Sequence, residues 1–254
     1  QVQDLKAHRP LGIACAATLT SSDDAPRLWY GRADGNKPGD RMNRDDAVGL
    51  VNYLAELSRN DFTILTWNGL GFDFDILAEE SGMFDECTRM ATAHVDMMFH
   101  VFCKLGYPIG LDRAPSGMGT AGNSSSVPQS MVPQYWADER FDEVLDYLSN
   151  DVRATLELAH ACEQNLKLFW ITQRGRRADM SLDSGWLTVE SAMRLPEPDT
   201  SWMDNPMPRC RHRTAPWPCW IAQRICALPL CKVVDSDWLA PRRSYNMVFA
   251  TIST

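Results

Sequence analysis

The passage from Phe62 to Glu80 constrains this chain most. Phe62-Thr63-Ile64-Leu65-Thr66-Trp67 is a short apolar run, too brief for a buried helix, and reads as a buried strand. It runs into Asn68-Gly69-Leu70-Gly71, a turn, and then into a helix from Phe72 to about Glu80. A strand that turns at once into a helix is half of an α/β unit and needs a sheet to join. Asp73, at the opening of that helix, has two readings. It favours the positive end of the helix dipole, or it faces the C-terminal edge of the sheet, where α/β proteins place their sites.

The rest of the chain supplies such a sheet. Leu11–Thr20 is short and apolar and ends in Ser21-Ser22-Asp23-Asp24, so a strand and turn are expected, with Arg27–Gly31 as the hairpin partner. Asn43–Arg59 reads as an amphipathic helix capped by Asn43, with Ala47, Leu50, Val51, Leu54 and Leu57 on one face. Ala93–Leu105 reads as a buried helix opened by Asp96, and 111–133, rich in Gly, Ser and Pro, as a loop. Glu139–Asn165 is the clearest helix. A hairpin about Arg174-Gly175-Arg176 and a short helix over Trp186–Arg194 follow.

Composition sets limits. Of 254 residues, 44% are hydrophobic and 23% charged, which excludes fibrous and wholly disordered classes. No run of 18 or more apolar residues appears, which excludes a helical membrane protein and predicts no membrane partner. The net charge of −8 argues against a non-specific DNA coat protein. It leaves room for an enzyme that meets phosphates through metal ions held by carboxylates. The 8 Cys form no dense framework, and no signal-peptide pattern opens the chain, so a reducing cytoplasm is expected.

Charge divides the chain near Pro206. Residues 206–254 hold 7 Lys+Arg and 2 Asp+Glu, whereas residues 1–205 hold 18 and 31. The expected organisation is therefore a domain over 1–205 and an irregular basic tail over 206–254. The tail is open to three readings: a basic arm for nucleic acid, a zinc site, or an aberrant terminus without selected structure. The spacings of Cys210, His212, Cys219, Cys226 and Cys231 match no zinc pattern.

Three acidic segments carry whatever chemistry the body has. Besides Asp73, with Asp75 as its competitor, these are His94-Val95-Asp96 and Tyr147-Leu148-Ser149-Asn150-Asp151. Tyr147 and Asp151 are four residues apart on a helix and share a face at the margin of the buried stripe. Taken singly, each segment is also explained as a cap, a dipole partner or a surface pair. The only basic cluster of the body, Arg174-Gly175-Arg176-Arg177, is either a solvated hairpin tip or a contact for a phosphate backbone. Trp67, Phe72, Phe74 and Trp136 either stack on bases or pack the core.

The ordered set, strand–Asn68-x-x-x-Phe72-Asp73–helix, then His94-x-Asp96, then Tyr147-x-x-x-Asp151, resembles the DEDD-type 3′–5′ exonucleases of the ribonuclease H-like superfamily. The subgroup is the one with Tyr in the last motif, akin to the proofreading domains of family B DNA polymerases. The resemblance spans roughly residues 8–165. It implies a ribonuclease H-like mixed sheet flanked by helices. It also implies hydrolysis of phosphodiester bonds at single-stranded DNA or RNA 3′ ends, using two Mg²⁺ or Mn²⁺ ions about 3.5–4 Å apart. In that scheme Asp73 and Asp151 are metal carboxylates and Tyr147 orients the attacking water. Asn68 and Phe72 shape the approach of the terminal nucleotide, and Asp96 stands behind the first rank. Arg174 and Arg176 become candidates for holding the substrate strand.

One part of the pattern is missing. The family's first motif is Asp-x-Glu on a central strand ahead of Leu11–Thr20, and the sole candidate, Asp4-Leu5-Lys6, puts Lys where Glu belongs. The expectation is that the motif lies upstream of Gln1, that the sheet lacks its first central strand, and that this chain has little or no nuclease activity. The alternative is a non-catalytic nucleic-acid-binding or protein-interaction module on a degenerate exonuclease fold.

Overall fold

The computed structural model describes residues 9–33, 37–207 and 247–252. In chain order these form β1 (Cys15–Thr20), β2 (Arg27–Tyr30), α1 (Arg44–Arg59), β3 (Ile64–Thr66), α2 (Asp73–Ser81), α3 (Phe84–Ala93), β4 (Val95–Asp96) and α4 (Met97–Leu105). There follow α5 (Arg113–Met118), α6 (Val132–Ala137), α7 (Phe141–Asn165), β5 (Lys167–Ile171), β6 (Arg177–Ser181), α8 (Val189–Met193) and β7 (Met247–Ile252). The architecture is α/β. No helix among the described residues is long and apolar enough to cross a membrane.

The main sheet has five strands in the order β2-β1-β7-β3-β4. β1 is antiparallel to β2, with Cys15 opposite Tyr30. It is also antiparallel to β7, from Cys15↔Ile252 to Thr20↔Met247. β3 runs parallel to both β7 and β4. The expected gap in the middle of the sheet is therefore corrected. The slot between β1 and β3 is filled by β7, from the region expected to be an irregular tail. Met247-Val248-Phe249-Ala250-Thr251-Ile252 is a short, mostly apolar run without the alternation that would flag a half-buried strand. Without it, β1 and β3 would each leave a row of backbone groups unpaired. The remainder of the tail, with Cys210, His212, Cys219, Cys226 and Cys231, lies outside the described residues, as does Asp4-Leu5-Lys6.

Alternate residues of the strands enter two cores. Ala16 and Ile64 pack with α1, α2, α3 and α8 on one face. Cys15, Ala17, Leu19 and Leu65 pack with α7 and the β5–β6 hairpin on the other. α4 serves both, with Phe99, Phe102 and Cys103 in the first core and Met97 and Val101 in the second, which explains its apolar circumference. Asn43 forms a capping box with Asp46 at the head of α1.

Two local expectations change. The segment read as one helix over 93–105 divides: α3 ends at Ala93, Val95 and Asp96 are edge strand β4, and α4 begins at Met97. Asp96 is the reason, because its side chain accepts the N–H of Phe99 and caps α4. The expected loop over 111–133 contains α5, a 3₁₀ turn at Gln129–Met131 and the start of α6. Gly117 lets the α5 backbone lie against β5: a Cβ there would stand 2.4 Å from the carbonyl carbon and oxygen of Phe169 and from the Cα of Trp170.

Candidate functional site

β3 ends in a turn that the neighbouring strand holds open. Asn68 sits in the left-handed region at φ 73°, which Asn tolerates better than most residues. Its N–H donates to Oδ1 of Asp96 at 3.0 Å, and the N–H of Leu70 donates to Oδ2 at 2.9 Å. The same carboxylate caps α4 through the N–H of Phe99 at 3.0 Å. Asp96 is fully buried; desolvation pushes its pKa up to about 6, against the pull of these donors.

A second bracket lies beneath the turn. The N–H of Gly69 donates to Thr66 Oγ1 at 3.1 Å, and that oxygen lies 3.1 Å from His94 Nε2. His94 Nδ1 is 2.7 Å from the carbonyl of Ala91, so this nitrogen carries the proton and Nε2 accepts from Thr66. Burial pushes His94 down to about 3, so the ring is neutral and structural. The turn thus enters α2 in a fixed direction, with Phe72 before the helix and Asp73 as its first residue.

A cleft of about 730 Å³ opens above the turn. Asn68, Phe72 and Asp73 line one side of it, and Tyr147 and Asp151 of α7 also line it. The structure thus brings together five residues that the sequence pattern selected from two separate segments. Trp67 lines the same cleft, whereas Phe74 and Trp136 are core. Asp75 does not line it; its buried carboxylate is paired with Arg9. Asp96 lies behind the cleft, in contact with the turn rather than the cavity.

α7 is held by Asn123, which the sequence did not single out and which no local pattern marks. Its Nδ2 donates to the carbonyl of Tyr147 at 3.2 Å and to Oδ1 of Asp151 at 3.3 Å. Burial raises the Asp151 carboxyl above the usual range, against the Asn123 hydrogen bond. Burial, and then the Asp151 charge, push Tyr147 up to about 12, so its hydroxyl stays protonated. Trp67 Nε1 and Thr120 Oγ1, both on residues lining the cleft, are buried polar atoms without a hydrogen-bond partner among the described residues. Such atoms favour a polar occupant.

From the central strand, Ala250 lines the cleft. The β7 sequence contains no Asp or Glu. Asp112 also lines the cleft, but its carboxylate is mostly exposed and stands 4.0 Å from Arg113. Among the described residues, no group of three His, Cys, Asp or Glu side chains is placed to hold a metal ion. Asp73, Asp112 and Asp151 are the carboxylates among the described residues that line the cleft.

Arg174 and Arg176 are not at this cleft. They line a second one of about 590 Å³. No protein-family model, curated protein or solved structure matches this chain.

Proposed function

We infer that this chain is a module of ribonuclease H-like exonuclease architecture that binds the 3′ end of single-stranded DNA or RNA without hydrolysing it. The observation that carries the reading is the cleft itself. Asn68, Phe72, Asp73, Tyr147 and Asp151 meet there, and Ala250 faces them from the central strand. The strand order β2-β1-β7-β3-β4, antiparallel on one side of β7 and parallel on the other, supports the architecture. Trp67 and Phe72 offer apolar surface on which a terminal base stacks, a contact worth about 1–3 kcal/mol per base. Asn68 and the protonated Tyr147 hydroxyl offer polar contacts to a sugar end. No hydrolytic step is assigned to Asp73 and Asp151.

Titration with Mn²⁺ and a 5′-labelled oligonucleotide tests the reading. The unaltered chain is expected to bind the oligonucleotide in the presence of a chelator and to release no nucleotides in Mg²⁺ or Mn²⁺. Ala250→Asp adds a further carboxylate to the cleft, so it should bind Mn²⁺ at least tenfold more tightly than the parent. Asp151→Asn in that background should remove the gain. Metal-dependent digestion by the unaltered chain, abolished by Asp73→Ala, would overturn the non-hydrolytic reading. Unchanged oligonucleotide binding by a Trp67→Ala/Phe72→Ala double variant would overturn the binding site.

A further inference from the structure

The second cleft is walled by the β5–β6 hairpin and by the 107–113 segment leading into α5. It is lined by Arg113, Arg174, Arg176 and Arg177, with Tyr107 and Trp170 among its remaining residues. The first 205 residues hold 31 acids against 18 Lys+Arg, so four converging arginines run against the charge of the body. Elsewhere Arg9, Arg59, Arg89, Arg140 and Arg194 each pair with a carboxylate, Arg44 and Arg153 donate to backbone carbonyls, and Arg27 lies over Trp29 and Tyr53. Among the described residues, Arg174, Arg176 and Arg177 form no such pair, and Arg113 reaches only the exposed Asp112 at 4.0 Å. Arg177 is held in place by stacking: its guanidinium carbon lies 3.8 Å from the centroid of the Phe169 ring. A stacked guanidinium keeps its N–H donors in the plane, directed past the ring edge.

The two clefts share a wall. Gly110, Leu111, Asp112 and Pro115 line the first, while Pro108, Ile109 and Arg113 line the second. Residues 108–115 thus border both clefts, so a single strand lying across this stretch meets both. We propose that the arginine cleft is a second nucleic-acid subsite, one that grips the internal phosphates of the same single strand whose 3′ end enters the Asp73–Asp151 cleft. The proposal rests on the end-binding reading for the direction of the strand. It assigns Arg113, Arg174, Arg176 and Arg177 as phosphate donors and Tyr107 as an aromatic contact for a base.

The test compares a linear oligothymidine of about 12 nucleotides with circular single-stranded DNA across a salt series, using the full chain. Each phosphate neutralised on a single strand contributes about 0.7 to the slope of log affinity against log salt. Arg113→Ala and Arg176→Ala should each lower that slope by about 0.7, and the double variant by about 1.4, with linear and circular DNA alike. Arg113→Lys keeps the charge and should restore the slope. Unchanged slopes in the arginine variants, with linear binding still weakened by Phe72→Ala, would overturn this subsite and leave the end-binding reading standing. Equal affinity for linear and circular DNA, with reduced slopes in the arginine variants, would sustain the arginine subsite and overturn end binding. No binding of either DNA by the unaltered chain would overturn both.

Discussion

Replacing Gly117 by Ala tests the packing of α5 on β5 directly. In α5 the added methyl would stand 2.4 Å from three backbone atoms of Phe169 and Trp170, where ordinary carbon contacts are about 3.5–4.0 Å. Backbone cannot rotate away, so either α5 lifts from β5 or both shift. Overpacking of this kind costs about 1–3 kcal/mol, and the overlap of more than about 1 Å puts this site at the upper end. Ala recovers about 1 kcal/mol of helix propensity relative to Gly, leaving a net loss of about 2 kcal/mol. At about 2–4 °C per kcal/mol for a chain of this size, the unfolding midpoint should fall by about 4–8 °C. Gly49 is the matched control, because it is exposed within α1 and a Cβ there meets nothing within 4 Å. Gly49→Ala should raise stability by about 0.5–1 kcal/mol. Thermal unfolding followed by circular dichroism reads both. If Gly117→Ala raised the midpoint as Gly49→Ala does, the close packing of α5 on β5 would be refuted.

Two further predictions concern the cleft. Asp96→Ala leaves the N–H groups of Asn68, Leu70 and Phe99 without their acceptor, at about 1–3 kcal/mol for each buried donor. A loss of at least about 3 kcal/mol in urea unfolding is expected, and a loss under about 1 kcal/mol would show that the carboxylate does not hold the turn. Burial raises Asp151, so the folded state favours its protonated form, and the stability from this group falls as pH rises from the ordinary carboxylate range through the raised value. Asp151→Asn should therefore unfold at a higher temperature than the parent at pH 7, and the difference should close near pH 4, about the ordinary Asp value. A midpoint at pH 7 below that of the parent would contradict the direction of the shift.

How far the sequence speaks varies with the kind of signal. The long helix was legible because its apolar residues recur with helical period over its whole length, and α7 runs over Phe141–Asn165. The residues of the cleft were legible one segment at a time, because Asp73 follows a strand and turn while Tyr147 and Asp151 share a helical face; the tertiary fold brings the two segments to one cleft. What stayed hidden depends on pairing across long separations. β7 has no period of its own, and only the open edges of β1 and β3 give it a place. Asn123 sits in a Gly- and Ser-rich stretch, and its importance appears only when its amide meets α7. The arginine hairpin was visible as a charge cluster, but Arg113, which joins it from 61 residues before Arg174, was not.

The place of β7 also governs when the sheet can form. During synthesis β1, β2, β3 and β4 are all made well before Met247 leaves the ribosome. Until then β1 and β3 have no strand between them, and the two halves of the sheet are joined only through the helices. The β1–β7 and β3–β7 ladders close loops of more than 170 residues, and closing them is entropically costly. Completion of the sheet thus waits for β7, with the inner edges of β1 and β3 open in the interval.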